Sequence, residues 1–241
     1  VKIGSFKIQP SIQWRGRMGG SFRGSIVYES YEIERTEGRF IETIDPSNPL
    51  FDKQNFYGID AKYQFENKNS KVWPTLGLLV ELQTGYKNNT DSNKGFGYII
   101  PALGFDYKLG TEGRVVLATL LKAHVNLGDN FQFFQGANLG ANNGLRSYRN
   151  ERFTGKSAFV QSTDIRWNFT NLKTGLMPFS IGIYGGVDYG RIWIENDNSD
   201  KWNNSVGGGF FVNFAGLAAG NFSVFNGEDG LRLAFKLGFG F

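Results

Sequence analysis

The strongest constraint on the fold is a strict period of two at the end of the sequence. Every second residue there is large and apolar: Leu231, Leu233, Phe235, Leu237, Phe239 and Phe241. The residues between them are charged or small: Arg232, Ala234, Lys236, Gly238 and Gly240. Because successive side chains of a strand point to opposite faces, this segment predicts a strand with one wholly apolar face.

The same alternation recurs along the chain. Eleven strands are recognisable, at about 4–18, 20–36, 55–66, 75–87, 96–109, 113–126, 157–169, 178–194, 205–214, 220–226 and 231–241. Many are longer than the usual five or six residues of soluble sheets and long enough to cross a bilayer at a tilt. We predict an all-β fold, a transmembrane antiparallel β-barrel of about 12 strands that forms a single domain over 1–241.

Composition excludes several other classes of protein. The chain has 33 glycines and few helix formers, which argues against a coiled coil, and 40% hydrophobic residues argue against disorder. The absence of cysteine excludes a disulfide scaffold and a thiolate metal site. No run of 18 apolar residues occurs, and the mean hydropathy of −0.31 is typical of a soluble protein. A membrane barrel has the same average, however, because it alternates apolar and polar residues.

A soluble β-sandwich or lipocalin-like barrel would show the same alternation, with the apolar set turned inward. Long glycine-rich strands and aromatic residues near strand ends favour the membrane instead. The aromatic residues in question are Trp73, Tyr86, Trp167, Tyr189, Trp193, Phe239 and Phe241. If Leu127–Lys156 is an outside loop, strand 4–18 starts outside, so we expect a strand upstream of Val1, or a miscount near the N-terminus. The chain would then be the C-terminal part of a longer protein.

The connection Leu127–Lys156 is far longer than the others. Loops of this length inside a compact domain are usually functional. Its centre reads Gly144, Leu145, Arg146, Ser147, Tyr148. This run resembles the (V/L)-R-G-(F/Y) signature of the BamA/TamA superfamily, also called the bacterial surface antigen family, except that Ser147 stands where the family usually has glycine.

Three further segments extend the resemblance over about residues 55–241, in the family's order. Residues 73–77 are similar to its F-P-T-x-G turn, 186–193 to its D-x-G-x-x-W strand, and 214–220 to its S-P-L-G-P turn without the prolines. The resemblance implies a barrel in the bacterial cell outer membrane. It also implies that the long loop folds back into the lumen, where its arginine meets an acidic residue of the inner wall.

The alternation of strand 178–194 indicates which acidic residue that is. Asp188 lies on the polar face, and Gly186 and Gly190 flank it and leave room for a guanidinium. A bidentate arginine–carboxylate pair is a strong anchor. We therefore predict that Arg146 pairs with Asp188; the alternative is a hydrated lumen charge and a separate loop-surface charge. Phe239 and Phe241 are expected to form a C-terminal signal of the kind that the barrel assembly machinery reads.

No catalytic constellation is recognisable. His124 is the single histidine, no G-x-S-x-G stretch occurs, and no metal-ligand cluster is apparent. We expect no enzymatic activity, no metal and no cofactor. Basic residues share the inward faces with acidic ones, such as Asp60 and Glu81, so the lumen neutralises itself and nucleic acid is not an expected partner.

Three functions fit these expectations. The first is a barrel that assists membrane-protein insertion or polypeptide translocation through the edge between its first and last strands. The second is a membrane anchor for a soluble hydrolase or binding domain encoded upstream, such as a phosphoesterase or a patatin-like lipase. The third is a plugged porin-like channel. The expected partners are outer-membrane lipid, the barrel assembly machinery, and a client polypeptide or a periplasmic domain of the same gene.

Overall fold

The computed structural model describes residues 2–38, 40–71, 73–172, 178–195, 200–214 and 218–237. The strands in these ranges are β1 Lys2–Ile8, β2 Ser11–Arg15, β3 Gly20–Glu34, β4 Gln54–Lys68, β5 Leu76–Asn89, β6 Gly95–Leu109, β7 Val115–Leu127, β8 Ala137–Leu139, β9 Phe153–Gly155, β10 Ser157–Leu172, β11 Phe179–Trp193, β12 Asn203–Phe214, β13 Ala218–Gly227 and β14 Gly230–Leu237. Short 3-10 helices lie at Phe40–Thr43, Pro49–Phe51, Phe133–Gln135 and Ala141–Asn143. None of the helices in this part of the chain is long and apolar enough to cross a membrane.

Twelve of these strands form one antiparallel sheet. From β3 onward each strand of the sheet pairs with the next along the chain, except that β7 pairs directly with β10, because β8 and β9 form a small separate ribbon within the long loop. This arrangement is a meander, the topology that hairpin connections generate. The prediction of an all-β fold with about twelve antiparallel strands is confirmed.

The first strand position is interrupted. The sequence predicted one strand at 4–18, whereas the structure has β1 and β2, which both pair with β3 in the same register: Ile8 lies opposite Tyr28 and Ser11 opposite Ser25. The break falls at Pro10, which has no backbone N–H to donate to the ladder. The twelve strands therefore occupy eleven positions, and the first and last positions run in the same direction.

The two faces of the sheet differ sharply in polarity. On β11, Ser180, Tyr184 and Asp188 are buried, whereas Ile183 and Val187 between them are exposed. The exposed apolar set continues across the sheet and includes Ile59, Tyr63, Leu82, Leu103, Ile165, Trp167, Phe210, Leu233 and Phe235. A soluble barrel would bury these side chains, so this arrangement fits a wall whose outer face meets lipid.

The sheet curls so that its polar face is on the inside. Trp73, in the connection between β4 and β5, stacks on Phe211 of β12 with ring centroids 4.5 Å apart. This contact joins strands that are far apart in the order of the sheet. Trp73 was expected among the interfacial aromatic residues, but it is buried inside with Val116, Tyr184 and Phe225. The expected interfacial position was wrong because Trp73 lies in a turn, and turn residues do not follow the alternation of a strand.

Candidate functional site: the inward loop and its charge network

The loop at 128–156 packs against the inner face of the wall. Its own short ribbon, β8 and β9, gives it a fixed shape. Four of its side chains are fully buried: Ala137, Leu139, Leu145 and Tyr148. They pack on Ala158 and Val160, the small apolar residues of the inner face of β10. Burial of this apolar cluster stabilises the loop inside the lumen, where the sequence placed it.

Arg146 projects from this loop onto Asp188 of β11. Its Nη2 lies 2.7 Å from Oδ1 of Asp188, and its Nε lies 3.0 Å from both carboxylate oxygens. The backbone N–H of Arg146 donates to Oδ2 at 2.9 Å. The carboxylate of Asp188 is 1% exposed, so these hydrogen bonds replace its lost hydration. Charge-assisted bonds of this kind are among the strongest in proteins.

Arg146 also contacts a second carboxylate. Its Nη1 lies 2.8 Å from Oδ1 of Asp164 on β10, and the ring of Phe225 packs against the guanidinium at 4.0 Å. Burial disfavours the charge of Arg146, but Asp164 and Asp188 outweigh that effect and raise the pKa of Arg146 above its ordinary value. The arginine therefore stays charged and holds two strands of the wall together.

The charges continue across the inner wall as an alternating chain. Asp164 is 3.5 Å from Arg166, which is 3.5 Å from Asp106, and Lys68 is 3.4 Å from the same aspartate. With the pair of Arg146 and Asp188 included, the network contains three cations and three carboxylates. Buried charges require such pairing, because an isolated one is costly in a medium of low dielectric constant. Asp164 and Arg166 lie on the inward face of β10, and the sequence motifs did not identify them as partners of the loop.

The two wall glycines have different roles. A Cβ at Gly186 would come within 2.6 Å of Nη2 of Arg146, so this glycine makes room for the guanidinium, as expected. A Cβ at Gly190 would instead meet Cδ1 of Leu139 at 3.1 Å. The expectation that Gly190 accommodates the guanidinium is wrong; it accommodates the apolar part of the loop, which packs further along β11.

The signature residues fix the tip of the loop. Gly144 has φ +93°, a conformation that favours glycine, and its carbonyl accepts from Ser162 Oγ at 3.0 Å. Ser147, which stands where the signature has glycine, is bonded to the wall: its N–H donates to Ser205 Oγ at 3.1 Å, and the two hydroxyls lie 2.7 Å apart. Tyr148 packs edge-on against Phe153, with centroids 5.1 Å apart.

The loop also holds the last hairpin of the sheet. Arg152 pairs with Asp229, between β13 and β14, at 2.7 Å. Arg232 on β14 donates to the carbonyl of Tyr148 at 2.9 Å and to Oδ1 of Asn150 at 3.4 Å. These contacts could not be predicted from the sequence, because the alternation of a strand does not show which strands a loop will contact.

Phe239 and Phe241 lie outside the described residues. His124 lies in β7, 3.2 Å from Oδ1 of Asn126, with Tyr98 edge-on to its ring. Within the part of the chain that the structure describes, no group of three histidine, cysteine or acidic residues could hold a metal ion.

Comparison with known proteins decides the architecture. Among solved structures, BamA from Haemophilus ducreyi lacking POTRA domains 1-3 superimposes with a TM-score of 0.66 over 98% of this chain, at 13% sequence identity. The fold is that of the BamA barrel. The chain spans 53% of the length of that BamA chain, and an identity this low establishes the fold alone. No protein-family model matches the sequence, and no curated protein matches it.

Proposed function

We propose that this chain is an outer-membrane β-barrel that assists the insertion or translocation of polypeptides by offering a strand edge. The BamA-type fold supports an outer-membrane setting, with lipid around the apolar face. The observation that carries the proposal is the match to the BamA barrel over 98% of the chain, together with the apolar outer face of the sheet.

An unpaired strand edge presents a row of N–H and C=O groups that an extended polypeptide can bind. Leu231, Leu233 and Phe235 of β14 carry the apolar pattern that a lipid-facing guest strand would continue. Natural proteins usually cover such an edge, because it recruits other chains. The edge between the first and last strands is therefore the place where we expect a client strand to add.

The same geometry weighs against a diffusion channel. The inward loop and its charge network occupy the side of the lumen formed by β10 and β11, and the last hairpin is tied to the loop. Anchoring of an upstream domain remains the second proposal from the sequence, since a plugged barrel is also a stable membrane anchor. Under either proposal we expect the barrel assembly machinery to bind this chain, because that machinery would insert the barrel itself into the membrane.

Reconstitution tests the proposal. The purified chain in lipid vesicles is mixed with an unfolded outer-membrane barrel, and folding of that client is followed by its heat-modifiable mobility. Vesicles with an unrelated closed barrel of similar size are the control. We expect the client to fold several-fold faster with this chain. Equal rates in both vesicle preparations would contradict an insertion role and favour the anchor.

A further inference from the structure

A small cavity lies between the inward loop and the wall. Its wall side belongs to β6, β7 and β10, the central strands of the sheet, so it is remote from the first and last strands. Polar side chains line it from both sides: Lys122 and His124 of β7, and Asn138 and Asn143 of the loop. The volume is about 50 Å³, which is room for about four groups of the size of a water molecule. The cavity is large enough for a small ligand and too small for a lipid headgroup or a nucleotide.

Lys122 brings a positive charge into this cavity. On the neighbouring strands it lies opposite Ala102 of β6 and Val160 of β10, which are uncharged. Glu81 of β5 lies beyond Ala102 and pairs with Lys62 at 2.7 Å. Within the part of the chain that the structure describes, the ammonium of Lys122 is in no ion pair and in no hydrogen bond. A charge in such a confined space favours a bound counter-ion.

The other carboxylates of this part of the inner wall already have cationic partners. Asp164 and Asp188 both bind Arg146, and Glu29 accepts from Lys87 at 2.7 Å. None of the three is within ion-pair distance of the lysine of the cavity. A counter-charge at that lysine would therefore come from solution.

The loop adds neutral hydrogen-bond donors to the same cavity. Nδ2 of Asn143 donates to Oδ1 of Asn138, which leaves the second N–H of Asn143 and the amide N–H groups of Asn138 for another acceptor. His124 contributes less, because its Nε2 donates to Oδ1 of Asn126. The uncommitted N–H groups of the cavity thus come from the wall and from the loop.

We propose that this cavity binds one small inorganic oxyanion of the sulfate or phosphate type, with Lys122 as its charged partner and Asn138 and Asn143 as donors from the loop. The oxygens of one such anion fill the space of about four water molecules. Bonds from an ammonium group to an anionic oxygen are charge-assisted and strong. Because the anion contacts wall and loop together, it binds only while the loop lies in the lumen and holds the loop there.

Equilibrium binding of radiolabelled sulfate to the full chain in detergent micelles tests the proposal. We expect one saturable site per chain. Lys122→Gln should weaken binding at least about tenfold, and Asn143→Ala about fivefold, in line with the loss of a charged and of a neutral hydrogen bond. Lys108→Gln is the matched control: it removes an exposed lysine of β6 outside the cavity and should leave binding unchanged. Unlabelled phosphate should compete with sulfate, and equimolar chloride should not.

Absence of saturable binding to the wild-type chain, or unchanged binding to Lys122→Gln, would overturn the proposal. Displacement of sulfate by equimolar chloride would also overturn it, because the site would then select charge and not an oxyanion. Heat-modifiable mobility reports whether each variant is folded.

A protease assay needs no variant. Sulfate at ten times its dissociation constant should slow cleavage of the loop in the wild-type chain about tenfold, and sodium chloride of equal ionic strength should not. Equal cleavage rates in the two salts would overturn the link between the anion and the loop.

Discussion

Replacement of Arg146 by alanine should be the most damaging single change in the loop. It leaves Asp188 without its charged partner and removes one of the two cations next to Asp164. Removing one member of a buried pair typically costs 3–5 kcal/mol. Because Arg146 is 14% exposed, we expect about 3 kcal/mol, at the lower end of that range.

Asp188→Ala should cost less, about 1–2 kcal/mol, since it removes hydrogen bonds but leaves Arg146 paired with Asp164 at 2.8 Å. The double variant should be no worse than Arg146→Ala, because the two changes remove the same interaction. Arg149→Ala, an exposed arginine of the same loop, is the matched control and should change stability by less than about 0.5 kcal/mol.

Equilibrium unfolding by urea in lipid vesicles, followed by tryptophan fluorescence, measures these free energies. Protease cleavage of the loop in the folded barrel reports separately whether the loop has left the lumen. Equal stability of Arg146→Ala and Arg149→Ala would show that the buried pair does not stabilise the barrel. A larger loss for Asp188→Ala than for Arg146→Ala would instead refute the compensating role of Asp164.

Three further predictions concern the wall, the C-terminus and the last hairpin. Cysteine at Leu233 or Leu237 should react with lipophilic and not with aqueous reagents, and cysteine at Ala234 should do the reverse; aqueous labelling at both leucine positions would contradict a lipid-facing outer surface. Deletion of Phe241 should lower the yield of heat-modifiable barrel in the membrane, and an unchanged yield would count against a terminal assembly signal. Arg152→Ala should cost less than about 1 kcal/mol in urea unfolding, because the pair with Asp229 is partly exposed; a loss near that of Arg146→Ala would be inconsistent with this ranking.

The alternation of side chains carried most of the information about the fold. In β11 it assigned Gly186, Asp188 and Gly190 to the inward face, where the structure has them, because successive side chains of a strand point to opposite faces. The same rule failed at Trp73, which lies in a connection, and across Pro10, where the missing N–H divides one predicted strand into two.

The site was predictable where a short motif and strand parity coincided. The motif identified Arg146, and the alternation of β11 predicted that Asp188 faces the lumen. In the structure, Nη2 of Arg146 lies 2.7 Å from Oδ1 of Asp188. The contact between Asp164 and Arg146 was not predicted, because it depends on the register of β10 against β11, in which Asp164 lies opposite Gly186. The link between Arg152 and Asp229 spans 77 residues, and no local pattern indicates a contact between two connections.

A disulfide between loop and wall tests most directly whether the loop occupies the lumen. The hydroxyls of Ser147 and Ser205 are 2.7 Å apart, so cysteines at both positions should oxidise readily in the membrane, and no native cysteine competes. Ser147→Cys with Ser180→Cys is the control, since Ser180 lies eight residues, about 26 Å, along β11 from Asp188. We expect a disulfide in the first pair and none in the second. Free thiols in the first pair, with cysteine 147 open to impermeant maleimide from outside, would contradict it.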